Sequence, residues 1–154
     1  MLLASMVVGL VGCDHATKVA AESALRDGRH VTVVPGWVDL RLTENNDIAF
    51  NALSRLSLHP PAWVLTTFAV AALAAVTFVS WRRRPSPLTA CAYALVAAGA
   101  IGNAVDRMLH GRVVDFIHLR SWPVFNVADI AVVAGVMLLI VLERRGTRES
   151  AGAG

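Results

Sequence analysis

Between Gly99 and Ile130 the chain reads GAIGNAVDRMLHGRVVDFIHLRSWPVFNVADI. This stretch gathers the polar groups that could do chemistry: Asn103, Asp106, Arg107, Asp115, Asn126 and Asp129. Asp115 lies in an apolar frame, VVDFI, and Asp129 lies near the start of an apolar run. Two carboxylates in a partly desolvated site cannot both ionise cheaply, so they share a proton. An aspartic hydrolase uses such a pair. One carboxylate activates water and the other protonates the scissile carbonyl or the leaving amine, without metal or covalent intermediate.

Plainer roles exist for the same residues. Asn126-Val-Ala-Asp129 has the form of a capping box, with Asn126 as the N-cap and Asp129 at N3. A helix N-terminus favours a carboxylate, so the cap and the catalytic roles are compatible. Asp106 beside Arg107 reads as a solvated or structural ion pair, and Asp115 alone would be an ordinary loop acid. Asn103 and Arg107 are spaced i,i+4 and share one helix face.

The elements that must position these groups are apolar helices. A bilayer core needs about 20 apolar residues as helix. Ala62 to Trp81 and Pro87 to Val105 meet this without a charge, and Trp122 to Leu142 meets it with Asp129 alone. Residues 1 to about 24 supply a further candidate. Helices of this kind satisfy their own backbone groups, as hydrocarbon requires. Trp63, Trp81 and Trp122 stand at span ends, where indole rings favour the interface. Arg82–Arg84 and the ERRGTR segment after the last span fall on one side, which the positive-inside rule makes cytoplasmic. Arginines on the other side are scattered among acids. The six polar groups then share one depth, the outer interface. Val38 to Thr43 alternates apolar and polar after a Pro35-Gly36 turn, which predicts a strand within a small outer β-rich segment at about 30–58. Residues 146–154 read as a cytoplasmic tail. The span boundaries expected are therefore about 1–24, 62–81, 87–105 and 122–142, in a single domain over residues 1–145.

Near the N-terminus, GLVGCDHATK poses a choice. Leu10 to Cys13 matches a lipobox, yet no Lys or Arg precedes the apolar stretch as a signal peptide requires. The favoured reading makes this segment the first span. Asp14 and Lys18 then sit at i and i+4, acid before base, and should face the bundle interior as a mutually neutralising structural pair.

Composition narrows the classes further. Of 154 residues, 56% are hydrophobic and 16% charged. Soluble domains carry about 45–50% and about 25% respectively, so these values point to a membrane protein. Basic patches interleaved with aromatics are absent, which argues against nucleic-acid binding. The histidines form no HExxH or i,i+4 helical pair, so neither a metal nor another cofactor is expected. Cys13 and Cys91 read as two small buried residues.

The motifs, taken in order, resemble those of the lipoprotein signal peptidase family (signal peptidase II), the membrane aspartic peptidases of bacteria. DHATK is similar to a D-x-x-[TS]-K box, NNDIAF to N-x-G-x-A-F, GNAVDRMLHGRVVDFI to G-N-x-x-D-R-x-x-x-G-x-V-x-D-F-I, and FNVAD to F-N-x-A-D. The resemblance implies an all-α membrane protein of four transmembrane helices with a small periplasmic β-cradle. It implies catalytic Asp115 and Asp129, substrate-positioning Asn45, Asn103, Arg107 and Asn126, and supporting Asp14 and Lys18. It implies cleavage of prolipoproteins before a diacylglyceryl-modified cysteine, by a monomer in contact with membrane lipid, at the outer face of the bacterial cytoplasmic (inner) membrane. Asp47 stands where the family box has glycine, which adds a charge near the substrate path and could alter substrate or inhibitor preference. The competing readings are a non-catalytic or inhibitor-resistant relative, a small proton-conducting membrane protein, and a lipoprotein modified at Cys13.

Overall fold

The computed structural model of the chain describes residues 2–45, 71, 78 and 85–152. The expected span 62–81, apart from Ala71 and Phe78, lies outside these residues, as does Asp47. The described elements are helix α1 (Leu2–Ala24), a short 3-10 turn (Arg26–Gly28), strands β1 (His30–Val34) and β2 (Val38–Asn45), helix α2 (Pro87–His110), strand β3 (Val113–Leu119) and helix α3 (Val127–Gly152). Among them, α1 and α2 are long and apolar enough to cross a membrane.

Helix α1 is apolar along most of its length, and its buried stripe is unusual. Asp14, Lys18 and Ala21 lie inward, followed by Leu25 just past the helix end. Their spacing of three to four residues keeps them on one face. Leu2 and Val8 lie outside that stripe and are exposed, as lipid-facing side chains are. Cys13 is also exposed and Cys91 is half-buried, so the expectation of two buried cysteines is corrected. Cys13 directly precedes Asp14 and therefore points off the inward stripe.

Helix α2 starts at a built cap. Ser86 Oγ accepts from Thr89 N at 3.2 Å, and Pro87 occupies the first turn. It runs past the expected Val105 to His110 and stops at Gly111, whose φ of 72° is the left-handed C-cap conformation. Small residues let α2 approach α3 closely. A Cβ at Gly135 would lie 2.7 Å from the Ala92 carbonyl oxygen and 2.7 Å from Val96 Cγ2. A Cβ at Gly99 would overlap the Ala128 carbonyl. In lipid, where apolar burial gives little drive, such close backbone packing is what joins helices.

Three strands form one antiparallel sheet in the order β1-β2-β3. The β1–β2 turn is set by sequence: Pro35 fixes its first central position, Gly36 has φ 73° at the second, and Trp37 N donates to Val34 O at 3.0 Å. β2 extends the expected strand Val38–Thr43 to Asn45. The sequence predicts a small sheet from the outer segment at about 30–58, but its third strand comes from residues 113–119. That segment is no polar loop; Val113 to Phe116 are buried. Phe116 packs with Ala21 and Leu25 of the α1 end, with Leu40, Leu42, Ile117 and Val127 around them.

The last helix starts at Val127 rather than Trp122. Pro123 and a bridge displace the start. Ile117 N donates to Phe125 O at 2.8 Å, and Phe125 N returns a bond to Ile117 O at 3.0 Å. Extended Phe125 thus adds to the edge of β3. Helix α3 then runs to Gly152, through part of the segment expected as a tail. Ile130, Val133, Met137 and Ile140 form an exposed apolar stripe along it.

Candidate active site

The end of α2, strand β3 and the first turn of α3 converge, and α1 reaches into the junction. Asp115 lies in the buried first half of β3 and is 2% exposed. It therefore sits on a strand, which corrects its assignment to a loop. Thr43 is its partner across the ladder to β2. Asp129 stands in the first turn of α3 and is half-buried.

Asn126 joins the two carboxylates. Its Nδ2 donates to Asp115 Oδ1 at 2.7 Å. Its Oδ1 accepts from Asp129 N at 3.0 Å, and its own backbone N donates to Asp129 Oδ2 at 3.1 Å. The last two bonds are the reciprocal capping box that the sequence suggested. Asn126 is fully buried, so these bonds are formed away from water. The same Nδ2 also faces Asn103 Oδ1 at 3.0 Å and the Val114 carbonyl at 3.3 Å.

Asn103 completes the pattern from α2. Its Nδ2 donates to Asp129 Oδ1 at 2.8 Å. Asp129 thus accepts on both oxygens, from Asn103 on one side and the Asn126 backbone on the other. Arg107, one turn further along α2, donates through Nη1 to the Asn103 carbonyl at 3.3 Å. Arg107 is half-buried in the last turn of α2.

Beneath this layer lies a buried ion cluster. Lys18 Nζ is 2.7 Å from Asp14 Oδ2 and 2.8 Å from Asp106 Oδ2. It also donates to Asn103 Oδ1 at 3.2 Å. Asp14 uses its other oxygen to accept from Ala128 N at 2.9 Å, in the first turn of α3. Asp106 accepts from Val114 N at 3.3 Å, at the start of β3. The cluster therefore fastens α1 to α2, α3 and β3 at once. Asp106 is a buried partner of Lys18 and not a solvated pair with Arg107. Its spacing three residues after Asn103, on the same face of α2, is the signal that would have found it.

The expected residues Asp14, Lys18, Asn103, Asp115, Asn126 and Asp129 thus form one continuous network. Asn45 ends β2, paired in register with Val113. An apolar cavity of about 300 Å³ opens against Asp129, lined by Leu119, Trp122, Phe125, Ile130, Val133 and Ala134. It follows the exposed flank of α3 away from the carboxylates. The arrangement places the Asp129 carboxyl at an apolar cleft, with buried Asp115 joined to it through Asn126, which suits hydrolysis of a polar bond in a largely apolar molecule.

Residues 6–144 match the family model described as Signal peptidase (SPase) II. The lipoprotein signal peptidase of Syntrophotalea carbinolica is 38% identical, over 98% of this chain and 94% of its own length. That of Chlorobium phaeovibrioides is 31% identical, over 97% and 94%. A bacterial membrane enzyme solved at 2.3 Å by the in meso method superposes with a TM-score of 0.86 at 26% identity, covering 95% of this chain and 89% of that one.

Proposed function

The chain belongs to the signal peptidase II family, and from that premise we propose that it works as an aspartic endopeptidase through Asp115 and Asp129. It is a membrane protein with a lipoprotein signal peptidase function. The observation that carries the mechanism is the link made by one buried residue, Asn126, whose side-chain amide donates to the Asp115 carboxyl and whose backbone N donates to the Asp129 carboxyl.

Water held between the two groups attacks the scissile carbonyl carbon. One carboxylate accepts the water proton as the C–O bond forms. The other carboxyl group protonates the peptide nitrogen as the C–N bond breaks. Asn126 and Asn103 keep both side chains in fixed rotamers, so little reorganisation is needed at the moment of reaction. Asn45 and Arg107, at the rim, position the polar backbone of the substrate.

The substrate in this reading is a prolipoprotein cut before its diacylglyceryl-modified cysteine. Such a molecule keeps its lipid and its signal helix in the bilayer while the scissile bond emerges. The apolar cavity running from Asp129 along α3 supports this reading. The site then lies at the outer, periplasmic face of the bacterial inner membrane, with four spans and a monomeric enzyme. The test is cleavage of a diacylated precursor peptide beside its unlipidated form, by the purified protein and by Asp115→Asn and Asp129→Asn. The lipidated peptide alone should be cut, and neither folded variant should cut it. Full activity in either variant would falsify the pair.

A further inference from the structure

Lys18 is 2% exposed, and its three donors are all committed, to Asp14, Asp106 and the side-chain oxygen of Asn103. The last bond is the one that bears on chemistry. An asparagine amide can turn over, exchanging its oxygen for its nitrogen, and an ammonium group can only donate. Lys18 therefore requires Oδ1 of Asn103 on its own side. That orientation alone leaves Nδ2 facing Asp129, where it donates at 2.8 Å. Asn126 cannot guarantee the same orientation, because its Nδ2 carries two hydrogens for three acceptors, Asn103 Oδ1, the Val114 carbonyl and Asp115 Oδ1.

We propose that Lys18 is a positioning residue that sets the side-chain amide of Asn103, and through it fixes the Asp129 carboxyl group in the orientation used for cleavage. The proposal rests on the peptidase reading above. The ammonium acts through Asn103 and does not touch substrate. Gly102 serves the same arrangement, since a Cβ there would lie 2.7 Å from Asp14 Oδ2 and push that carboxylate off Lys18.

Lys18→Met removes the cation but leaves Asp14 and Asp106 buried together, and that variant can fail by unfolding. The informative variant is therefore Lys18→Met with Asp14→Asn and Asp106→Asn. It carries no buried charge in the cluster. Each new asparagine keeps an oxygen for Ala128 N or Val114 N. Both variants are compared with the unaltered enzyme and with Asp129→Asn on a diacylated precursor peptide, with thermal unfolding in the same detergent. In the folded neutral triple variant, kcat should fall by about 100-fold, the scale of a misplaced catalytic group, while KM stays within about twofold. A purely structural role predicts the opposite: activity returns with the fold. A folded triple variant with near-normal kcat, or one whose loss lies in KM alone, overturns the proposal. If the unaltered enzyme fails to cut the peptide, the peptidase reading itself is at fault.

Discussion

Asn126 Nδ2 donates to Asp115 Oδ1 at 2.7 Å, while the side-chain oxygen of the same asparagine caps Asp129 N at 3.0 Å. A strand acid and a helix acid are thereby held by one residue that belongs to neither element's interior. Two jobs, capping and linking, fall on different atoms of Asn126, so they can be separated by substitution.

Asn126→Ser keeps a cap oxygen but has no amide nitrogen for Asp115. Asn126→Ala loses both. Stability should fall by about 1 kcal/mol for alanine and by less for serine. Cleavage should fall by about 100-fold in both, because the link to Asp115 is gone in both. Denaturation in detergent and single-turnover cleavage measure the two quantities. Serine with normal cleavage would show that the cap alone matters.

The α2–α3 contact depends on absent side chains. Gly135→Ala must push a methyl group into the Ala92 carbonyl and Val96. The cost should be about 1–3 kcal/mol, as for overpacking elsewhere. Gly12→Ala is the control, since nothing lies within 4 Å of a Cβ there. It should be neutral or slightly stabilising by helix propensity. Thermal unfolding of the two variants side by side checks this; equal melting points would refute the packing argument.

Gly102→Ala tests the Asp14 carboxylate instead of a helix backbone. The methyl would displace Asp14 Oδ2, which bonds Lys18 at 2.7 Å. A carboxylate tip can move where a backbone cannot. The predicted stability loss is therefore smaller than for Gly135→Ala, and the loss of cleavage is larger relative to it. Comparing the ratio of kcat to unfolding midpoint in the two variants decides the matter.

The Arg112–Glu44 pair, at 3.0 Å, is a contrasting case. The Arg112 side chain is 35% exposed and that of Glu44 56%, and pairs reached by solvent contribute about 0–1 kcal/mol. Arg112→Ala should change stability by less than about 1 kcal/mol and leave cleavage intact. A large loss in either measurement would place Arg112 in a role beyond the ion pair.

How much of this was legible in the residues differs by element. The Asp14/Lys18 spacing read correctly as an inward pair, because i,i+4 geometry within one helix is local. The Asn126–Asp129 box read correctly for the same reason. Asp106 did not, since its partner Lys18 lies in another helix and its sequence neighbour Arg107 offered a simpler pairing. Residues 113–119 read as a loop because a short strand whose first four residues are all buried shows no alternation, and its partner β2 is far away in sequence.

The sequence by itself determined the apolar helices, the caps and turns, the ordered boxes and hence the family. Each is encoded by residues within one or two turns of each other, where backbone geometry leaves few choices. Only the tertiary structure decided that β3 joins the outer hairpin, that Lys18 bonds both Asp106 and Asn103, and that Asn126 links Asp115 to Asp129. Those contacts join segments distant along the chain. Their distances are set by how closely glycine-bearing helices pack, which no local pattern specifies.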